Sequence, residues 1–196
     1  MNFLAHAYLS FHNPDVLVGN MISDFVKGNR PQDYAPGIQA GIRLHREIDT
    51  FTDSHPATLA AKQVFRSEYR LYSGAFMDVV YDYFLANDTR EFPPGSLEIF
   101  ARDTYQTLDN YFEQLPEAFR QLFYYMKQQN WLFNYREPQG IYKSFAGLVR
   151  RAKYLNNSQP AEKIFAANVK RLEENYRLFW TDLKPFAQEQ FKKLIN

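Results

Sequence analysis

The sequence from residue 41 to residue 56 reads GIRLHREIDTFTDSHP. Isoleucines recur at helical spacing through residues 38–48, which predicts a helix over about residues 37–52. His45, Asp49 and Asp53 follow one another at four-residue intervals, so His45 and Asp49 lie on one face of that helix, beside the apolar stripe. An imidazole and a carboxylate placed in this way can hold a metal ion together, or they can simply pair with each other.

A second segment, MDVVYDYFL at residues 77–85, places Asp78 and Asp82 four residues apart in an otherwise apolar run. A helix that is apolar all round is normally buried, and two buried carboxylates one turn apart repel each other unless a cation or strong donors neutralise them. A metal ion resolves this conflict most directly. Arginines such as Arg43, Arg46 or Arg66 could resolve it by structural salt bridges instead.

Further candidate ligands lie near the beginning of the chain. His6 stands in an apolar opening segment, and Asn20 and Asp24 are four residues apart on a predicted second helix. A lone histidine on an apolar face is more often a hydrogen-bonded core residue than a ligand. His55, before a proline, is predicted to end a helix or to donate a hydrogen bond to Asp53.

Proline, glycine and asparagine divide the chain into predicted helices, and no strand-type alternation is sustained. The predicted helices cover about 14–27, 37–52, 57–71, 75–86, 97–112, 116–133, 138–155 and 160–194, the last interrupted by Pro185. There is no internal repeat and no low-complexity linker. The prediction is a single compact all-α domain over residues 1–196.

Composition restricts the classes of function. The chain has 196 residues, no cysteine and a formal net charge of +1, and no apolar run approaches membrane-spanning length. The opening residues lack a basic segment and a cleavage site, so we expect a cytoplasmic protein without a membrane anchor. No dense basic tract or nucleic-acid motif is present, which argues against nucleic acid as a partner.

The absence of cysteine also narrows the metal. Histidine and aspartate ligands without thiolates favour a hard or borderline ion, Mn²⁺, Mg²⁺ or Fe²⁺, over structural zinc. Such an ion lowers the pKa of bound water and stabilises charge on a phosphoryl oxygen, which makes metal-assisted phosphoester hydrolysis the natural reaction. Neither a G-x-S-x-G elbow nor a P-loop is present.

Four segments together resemble the signature segments of the acyl carrier protein phosphodiesterase family. They are MNFLAHAYLS, GNMISDFVKG, GIRLHREIDTFTDSHP and MDVVYDYFL, and the resemblance is sharpest over residues 1–90. It implies a manganese-preferring hydrolase that removes the 4′-phosphopantetheine arm from holo-acyl carrier protein, with an all-α fold like that of the HD phosphohydrolases. The chain departs from the wider HD pattern because it has no adjacent His-Asp dipeptide.

The resemblance also implies roles for single residues. The expected metal ligands are Asp24, His45, Asp49 and Asp78, and the residues expected to orient water or act as base are His6 and Asp82. Arg46 or Lys27 is expected to contact the phosphodiester or the acidic carrier protein. Asn20 is expected to bind substrate, with Asn2, Asp53 and His55 in supporting positions.

Two other functions stay open at this point. One is a metal-dependent phosphohydrolase acting on a small phosphoester, and the other is a non-enzymatic helical binding module whose buried acids are paired by arginine. The basic residues around the expected site, among them Lys62, Arg66 and Arg70, suit an anionic substrate or an acidic protein partner. They are equally compatible with ordinary solvated helix faces. The oligomeric state is not predicted.

Overall fold

The structure, a computed structural model, describes residues 1–26 and 30–195 and contains no strand in these ranges. Its helices are α1 (Phe3–Tyr8), α2 (Pro14–Ile22), α3 (Pro36–Ser54), α4 (Pro56–Tyr69), α5 (Ser73–Ala86), α6 (Ser96–Asn110), α7 (Glu117–Gln128), α8 (Trp131–Asn134), α9 (Pro138–Arg151) and α10 (Gln159–Ile195). The predicted all-α class and single compact domain are confirmed. The narrower expectation of an HD-like fold stays a prediction.

Prolines begin several helices, as the sequence indicates. Pro14 and Pro56 occupy the first positions of α2 and α4, where the missing N–H costs nothing and the fixed φ angle suits the helix. The Asn13 side chain accepts a hydrogen bond from the backbone N–H of Val16 at 3.1 Å. These local signals fix where α2 and α4 begin.

The structure differs from the predicted helix boundaries in several places, and the helix expected over residues 138–155 ends at Arg151. The helix expected over residues 116–133 is divided into α7 and α8, because Asn130 between them has a φ of 46° in the left-handed region. The second helix ends at Ile22, and Ser23–Phe25 form a 3₁₀ turn instead. Around Pro185, by contrast, α10 continues as one helix.

Helices α2 and α3 cross at unusually close range. A Cβ atom added to Gly19 would lie 2.0 Å from the carbonyl oxygen of Ile38, and one added to Gly41 would lie 2.2 Å from that of Val16. Only glycine allows the two backbones to approach so closely. The crossing brings Asn20 next to α3, one residue after Gly19.

The core is aromatic and surrounds α5. Phe76, Met77, Val80 and Tyr81 of α5 are buried, as the all-apolar pattern predicts. The long helix α10 packs along α3, α4 and α5 and closes this core. In the described ranges no helix is both long enough and apolar enough to cross a bilayer.

Candidate metal centre

Two buried histidines from different helices lie face to face. His6 projects from α1 and His45 from α3, and their ring centroids are 3.8 Å apart with an interplanar angle of 13°. Both side chains are almost fully shielded from solvent. The stacking brings together two residues that are 39 positions apart in the chain.

Asn20 orients both rings. His6 Nδ1 lies 2.8 Å from Asn20 Oδ1, and His45 Nδ1 lies 2.8 Å from the backbone carbonyl oxygen of Asn20. The Asn20 amide nitrogen donates to the carbonyl oxygen of His6 at 2.8 Å and to Ser10 Oγ at 3.2 Å, which fixes the orientation of the amide. Because both acceptors are oxygens without protons, each Nδ1 donates, and Nε2 is left to take a proton or a metal ion.

Both Nε2 atoms point at the same carboxylate. His6 Nε2 is 3.3 Å from Asp49 Oδ1, and His45 Nε2 is 3.1 Å from Asp49 Oδ2. Among the described residues, neither buried Nε2 has a hydrogen-bond partner of acceptable geometry. One ligand atom from each of the three residues lies within 4.8 Å of the other two. This set of two nitrogens and a carboxylate, each histidine fixed from behind by a hydrogen bond, fits a divalent metal ion.

Two further carboxylates flank this group. Asp24 Oδ1 lies 3.3 Å from His45 Nε2, and the Asp24 side chain is largely open to solvent. On the other flank, the amino group of Met1 lies 3.0 Å from Asp49 Oδ1 and 3.2 Å from Asp78 Oδ1. The buried group therefore reaches solvent on the side of Asp24 and of the half-exposed Asp78.

The two histidines have opposite pKa shifts. Burial and the neighbouring His45 lower the pKa of His6 to about 4. Burial also acts to lower the pKa of His45, but Asp24 and Asp49 outweigh it and raise that pKa to about 9. Without a metal ion, His45 therefore carries a proton on Nε2 between two carboxylates, where a cation is favoured.

The shift of Asp49 follows from the same arrangement. Burial acts to raise its pKa, but the Met1 amino group, His45 and His6 together hold the pKa well below its usual range. Asp49 is therefore ionised at neutral pH and available as a ligand.

Asp82 contacts the backbone at the beginning of α1. Its two oxygens accept hydrogen bonds from the backbone N–H groups of Leu4, at 2.8 Å, and Ala5, at 3.1 Å. The side chain is fully buried, and burial raises its pKa to about 7. Backbone N–H groups thus satisfy the Asp82 carboxylate, and the Met1 amino group lies beside the Asp78 carboxylate.

Asn20 also differs from its expected role. Its fully buried side chain is occupied by His6 and Ser10, and it has no atom open to a substrate. The structure instead makes Asn20 the residue that positions the histidines.

The other expected residues lie around the periphery. Asp53 in the last turn of α3 pairs with Lys62 at 2.6 Å, and His55 accepts a hydrogen bond from the N–H of Ala57 at the start of α4. His55 Nε2 also lies 3.1 Å from Asp182, so of its two predicted roles it takes that of a helix-end residue.

Three expected residues remain. Asn2 donates to the hydroxyl of Tyr135 at 2.9 Å. Arg46 is exposed on α3, directly after His45, and Lys27 lies outside the described residues. The contributions of Ser10 and the Met1 amino group were not anticipated, because neither belongs to a recognisable spacing.

In the described part of the chain, the acids of this centre are not neutralised by arginine. Within residues 1–26 and 30–195, no arginine lies within ion-pair distance of Asp24, Asp49, Asp78 or Asp82. The arginine pairing that would characterise a purely structural module is therefore not found in the described part of the chain.

Comparison with known proteins points to one family. The family model for acyl carrier protein phosphodiesterase matches residues 1–183. Proteins named acyl carrier protein phosphodiesterase from Photorhabdus laumondii and Pectobacterium atrosepticum are 31% and 34% identical, over 97% and 92% of this chain and 94% and 92% of their own. One from Escherichia coli O139:H28 is 31% identical over 99% of this chain and 100% of its own. No solved structure is significantly similar.

Proposed function

Because the chain belongs to the acyl carrier protein phosphodiesterase family, we propose that it hydrolyses the phosphodiester that joins 4′-phosphopantetheine to a serine of holo-acyl carrier protein. The observation that carries a metal-dependent mechanism is the pair of buried Nε2 atoms that face Asp49 without a hydrogen-bond partner in the described residues.

His6, His45 and Asp49 are proposed as the residues that hold the metal, with Asp24 and Asp78 as flanking carboxylates. The mixture of imidazole and carboxylate donors suits Mn²⁺, with Mg²⁺ or Fe²⁺ as alternatives. When bound, such an ion lowers the pKa of a water molecule and stabilises negative charge on the phosphoryl oxygens.

The remaining residues act by fixing positions. Asn20 holds both imidazoles in the tautomer that presents Nε2, and Asp82 holds the first turn of α1, from which His6 projects. These contacts are formed before substrate arrives, so the donors need not reorganise during the reaction.

In the proposed reaction, the oxygen of water forms a bond to phosphorus and the bond between phosphorus and the serine oxygen breaks. We assign to Asp24 the proton that the water loses, because its side chain is open to solvent and lies beside His45. The serine oxygen takes up a proton from solvent as it leaves, and Asp24 releases its proton to solvent, so the products are 4′-phosphopantetheine and apo-acyl carrier protein. Arg46, exposed beside His45, is proposed to contact the phosphodiester.

The proposal is tested by incubating the Mn²⁺-loaded protein with holo-acyl carrier protein and measuring the mass of the carrier. We expect the carrier to lose one phosphopantetheine arm, and Asp49→Asn to lower the rate more than about 100-fold, because a charged ligand is removed. Asp103→Asn, at an exposed carboxylate on α6, serves as the control and should leave the rate unchanged.

Two results would contradict the proposal. If the mass of the carrier stays constant while small phosphoesters are hydrolysed, the substrate is a small molecule. If Asp49→Asn retains both the wild-type rate and the wild-type metal content, this centre does not carry out the hydrolysis.

A further inference from the structure

A basic cavity opens directly beside the candidate metal centre. It has a volume of about 520 Å³ and lies at the turn between α4 and α5, where Lys62, Arg66 and Arg70 line one part and Asp78 another. Asp78 lies 3.2 Å from the Met1 amino group, which itself contacts Asp49. The cavity therefore leads from the surface to the flank of the metal centre.

Among the described residues, two of the three cations in this cavity have no acidic partner. Lys62 pairs with Asp53 at 2.6 Å, and its stem runs past Gly74, where a Cβ atom would lie 3.5 Å from Lys62 Cε. Arg66 and Arg70 are exposed, and no carboxylate of the described residues lies within 4.0 Å of either. Two uncompensated guanidinium groups on the wall of one cavity favour an anionic ligand.

The same turn exposes a large apolar side chain. Arg70 directly follows the last residue of α4 and has a φ of 46°, outside the usual range for a residue with a side chain. Leu71 follows and is 97% exposed while also lining the cavity. Covering a leucine that is so completely open to water lowers the free energy of a complex. An isolated small anion offers no such cover, whereas a protein partner does.

We propose that this turn is the docking site for the acidic carrier protein, with Arg66 and Arg70 pairing with its carboxylates and Leu71 covered by an apolar side chain. The proposal deepens the function above and rests on it, since the partner is the substrate named there. Charge complementarity selects the partner, and the position of Asp78 explains why docking here delivers the serine-linked phosphodiester to the metal centre.

The test measures binding of apo-acyl carrier protein, the product, so that no turnover is needed. We expect Arg66→Glu combined with Arg70→Glu to raise the dissociation constant at low salt at least about tenfold, because two attractive pairs become repulsive. Leu71→Ser should raise it by about threefold to tenfold. Added salt should raise the dissociation constant of the wild type and bring it closer to that of the double variant.

Matched controls lie elsewhere on the surface. Arg102→Glu reverses the charge of an exposed arginine on α6, and Leu178→Ser removes an exposed leucine on α10. Both should bind apo-carrier protein like the wild type. Thermal unfolding of each variant checks that the fold is retained, and Arg66→Gln with Arg70→Gln replaces the charge reversal if the glutamates unfold the protein.

The outcomes separate this proposal from the proposed function. If the double variant binds apo-carrier protein as tightly as wild type, if the controls weaken binding equally, or if wild type does not bind at all, the docking site is wrong. If the double variant loses affinity for free phosphopantetheine to the same extent, the arginines bind the phosphate and not the carrier, which also overturns it. Failure of the proposed function is measured in a separate experiment, in which holo-carrier protein keeps its phosphopantetheine arm.

Discussion

At the scale of single residues, Asn20 decides what the two histidines can do. One side-chain oxygen and one backbone oxygen of this residue accept hydrogen bonds from the Nδ1 atoms of His6 and His45. Both rings are thereby committed to presenting Nε2 toward Asp49. A buried amide with its hydrogen bonds satisfied is a rigid support, so its removal should weaken metal binding although the amide itself is not a ligand.

Replacing Asn20 by alanine should lower the affinity for Mn²⁺ about 10- to 100-fold, because His6 loses its orienting acceptor. The same change leaves Ser10 Oγ without its donor and the His6 carbonyl oxygen with Ser10 as its remaining side-chain donor, so we also expect a loss of about 1–3 kcal/mol in the free energy of unfolding. Metal titration and denaturant unfolding measure the two effects. Asn175→Ala, at a partly exposed asparagine of α10, is the control, and unchanged metal affinity in Asn20→Ala would refute the positioning role.

Metal affinity should also depend on pH through His45. Its pKa of about 9 means that the metal must displace a proton at neutral pH, whereas His6, with a pKa of about 4, is already neutral. Raising the pH from 6 to 8 reduces the competition from this proton, so the apparent affinity for Mn²⁺ should rise by up to about tenfold per pH unit. Calorimetry in buffers of different ionisation enthalpy should detect about one proton released per ion. An affinity that stays flat over this interval would be inconsistent with a protonated His45.

At the scale of elements, the crossing of α2 and α3 sets the distance between Asn20 and His45. Gly19 and Gly41 meet there, and each would bring a Cβ atom within 2.2 Å of a backbone oxygen of the opposite helix. Backbone atoms cannot move aside as the end of a flexible side chain can. The hydrogen bond from His45 Nδ1 to the carbonyl oxygen of Asn20 therefore depends on two glycines that never touch the centre.

Gly41→Ala should separate the two helices, costing more than about 2 kcal/mol in the free energy of unfolding and weakening Mn²⁺ binding with it. Gly147→Ala is a matched control, because a Cβ atom there meets only the ends of Arg150 and Arg151, at 3.8 and 3.6 Å. Alanine is the better helix former, so this control should be neutral or stabilise the protein by up to about 1 kcal/mol. Denaturant unfolding compares the stability of the two variants. Equal stability of Gly41→Ala and Gly147→Ala would exclude a tight crossing of α2 and α3.

The sequence predicted the elements better than it predicted the contacts between them. Helical spacing located α3 and α5 and brought His45 and Asp49 to one face, because such patterns are local. The stacking of His6 on His45 and the double role of Asn20 depend on how α1, α2 and α3 pack, which no local pattern records. The boundary at Asn130 was not predicted either, because a single left-handed residue divides α7 from α8 without changing the apolar pattern.

At the scale of the whole molecule, Glu91 ties the two ends of the chain together. This carboxylate follows α5 and accepts hydrogen bonds from Tyr8 of α1 and from Trp180 and Lys184 of α10. Burial acts to raise its pKa, but Lys184, Tyr8 and Trp180 outweigh it and hold the pKa below 4.5. The ionised carboxylate is therefore favoured in the folded protein over the unfolded chain.

The contacts that Glu91 makes with α1 and α10 should therefore weaken in acid. Because the unfolded chain binds the proton more tightly, the stability that Glu91 contributes is present above pH 4.5 and is lost as the pH falls below it. Glu91→Gln should lower the free energy of unfolding by about 1–3 kcal/mol at pH 7, and by less at pH 3.5. Denaturant unfolding at both pH values tests this, with Glu98→Gln, at an exposed carboxylate of α6, as control. If Glu91→Gln lowers the free energy of unfolding equally at both pH values, the ionised carboxylate of Glu91 does not stabilise these contacts.

The whole arrangement, with α1, α2 and α3 assembled on a core closed by α10, serves to bring His6, His45 and Asp49 together. The most direct measurement is a crystal structure of the protein grown with Mn²⁺, with the ion located by anomalous scattering. We expect a manganese peak about 2.0–2.3 Å from Nε2 of both histidines and from Asp49. A manganese ion bound elsewhere, or stacked histidines whose Nε2 atoms contact no ion in crystals saturated with Mn²⁺, would contradict the metal centre.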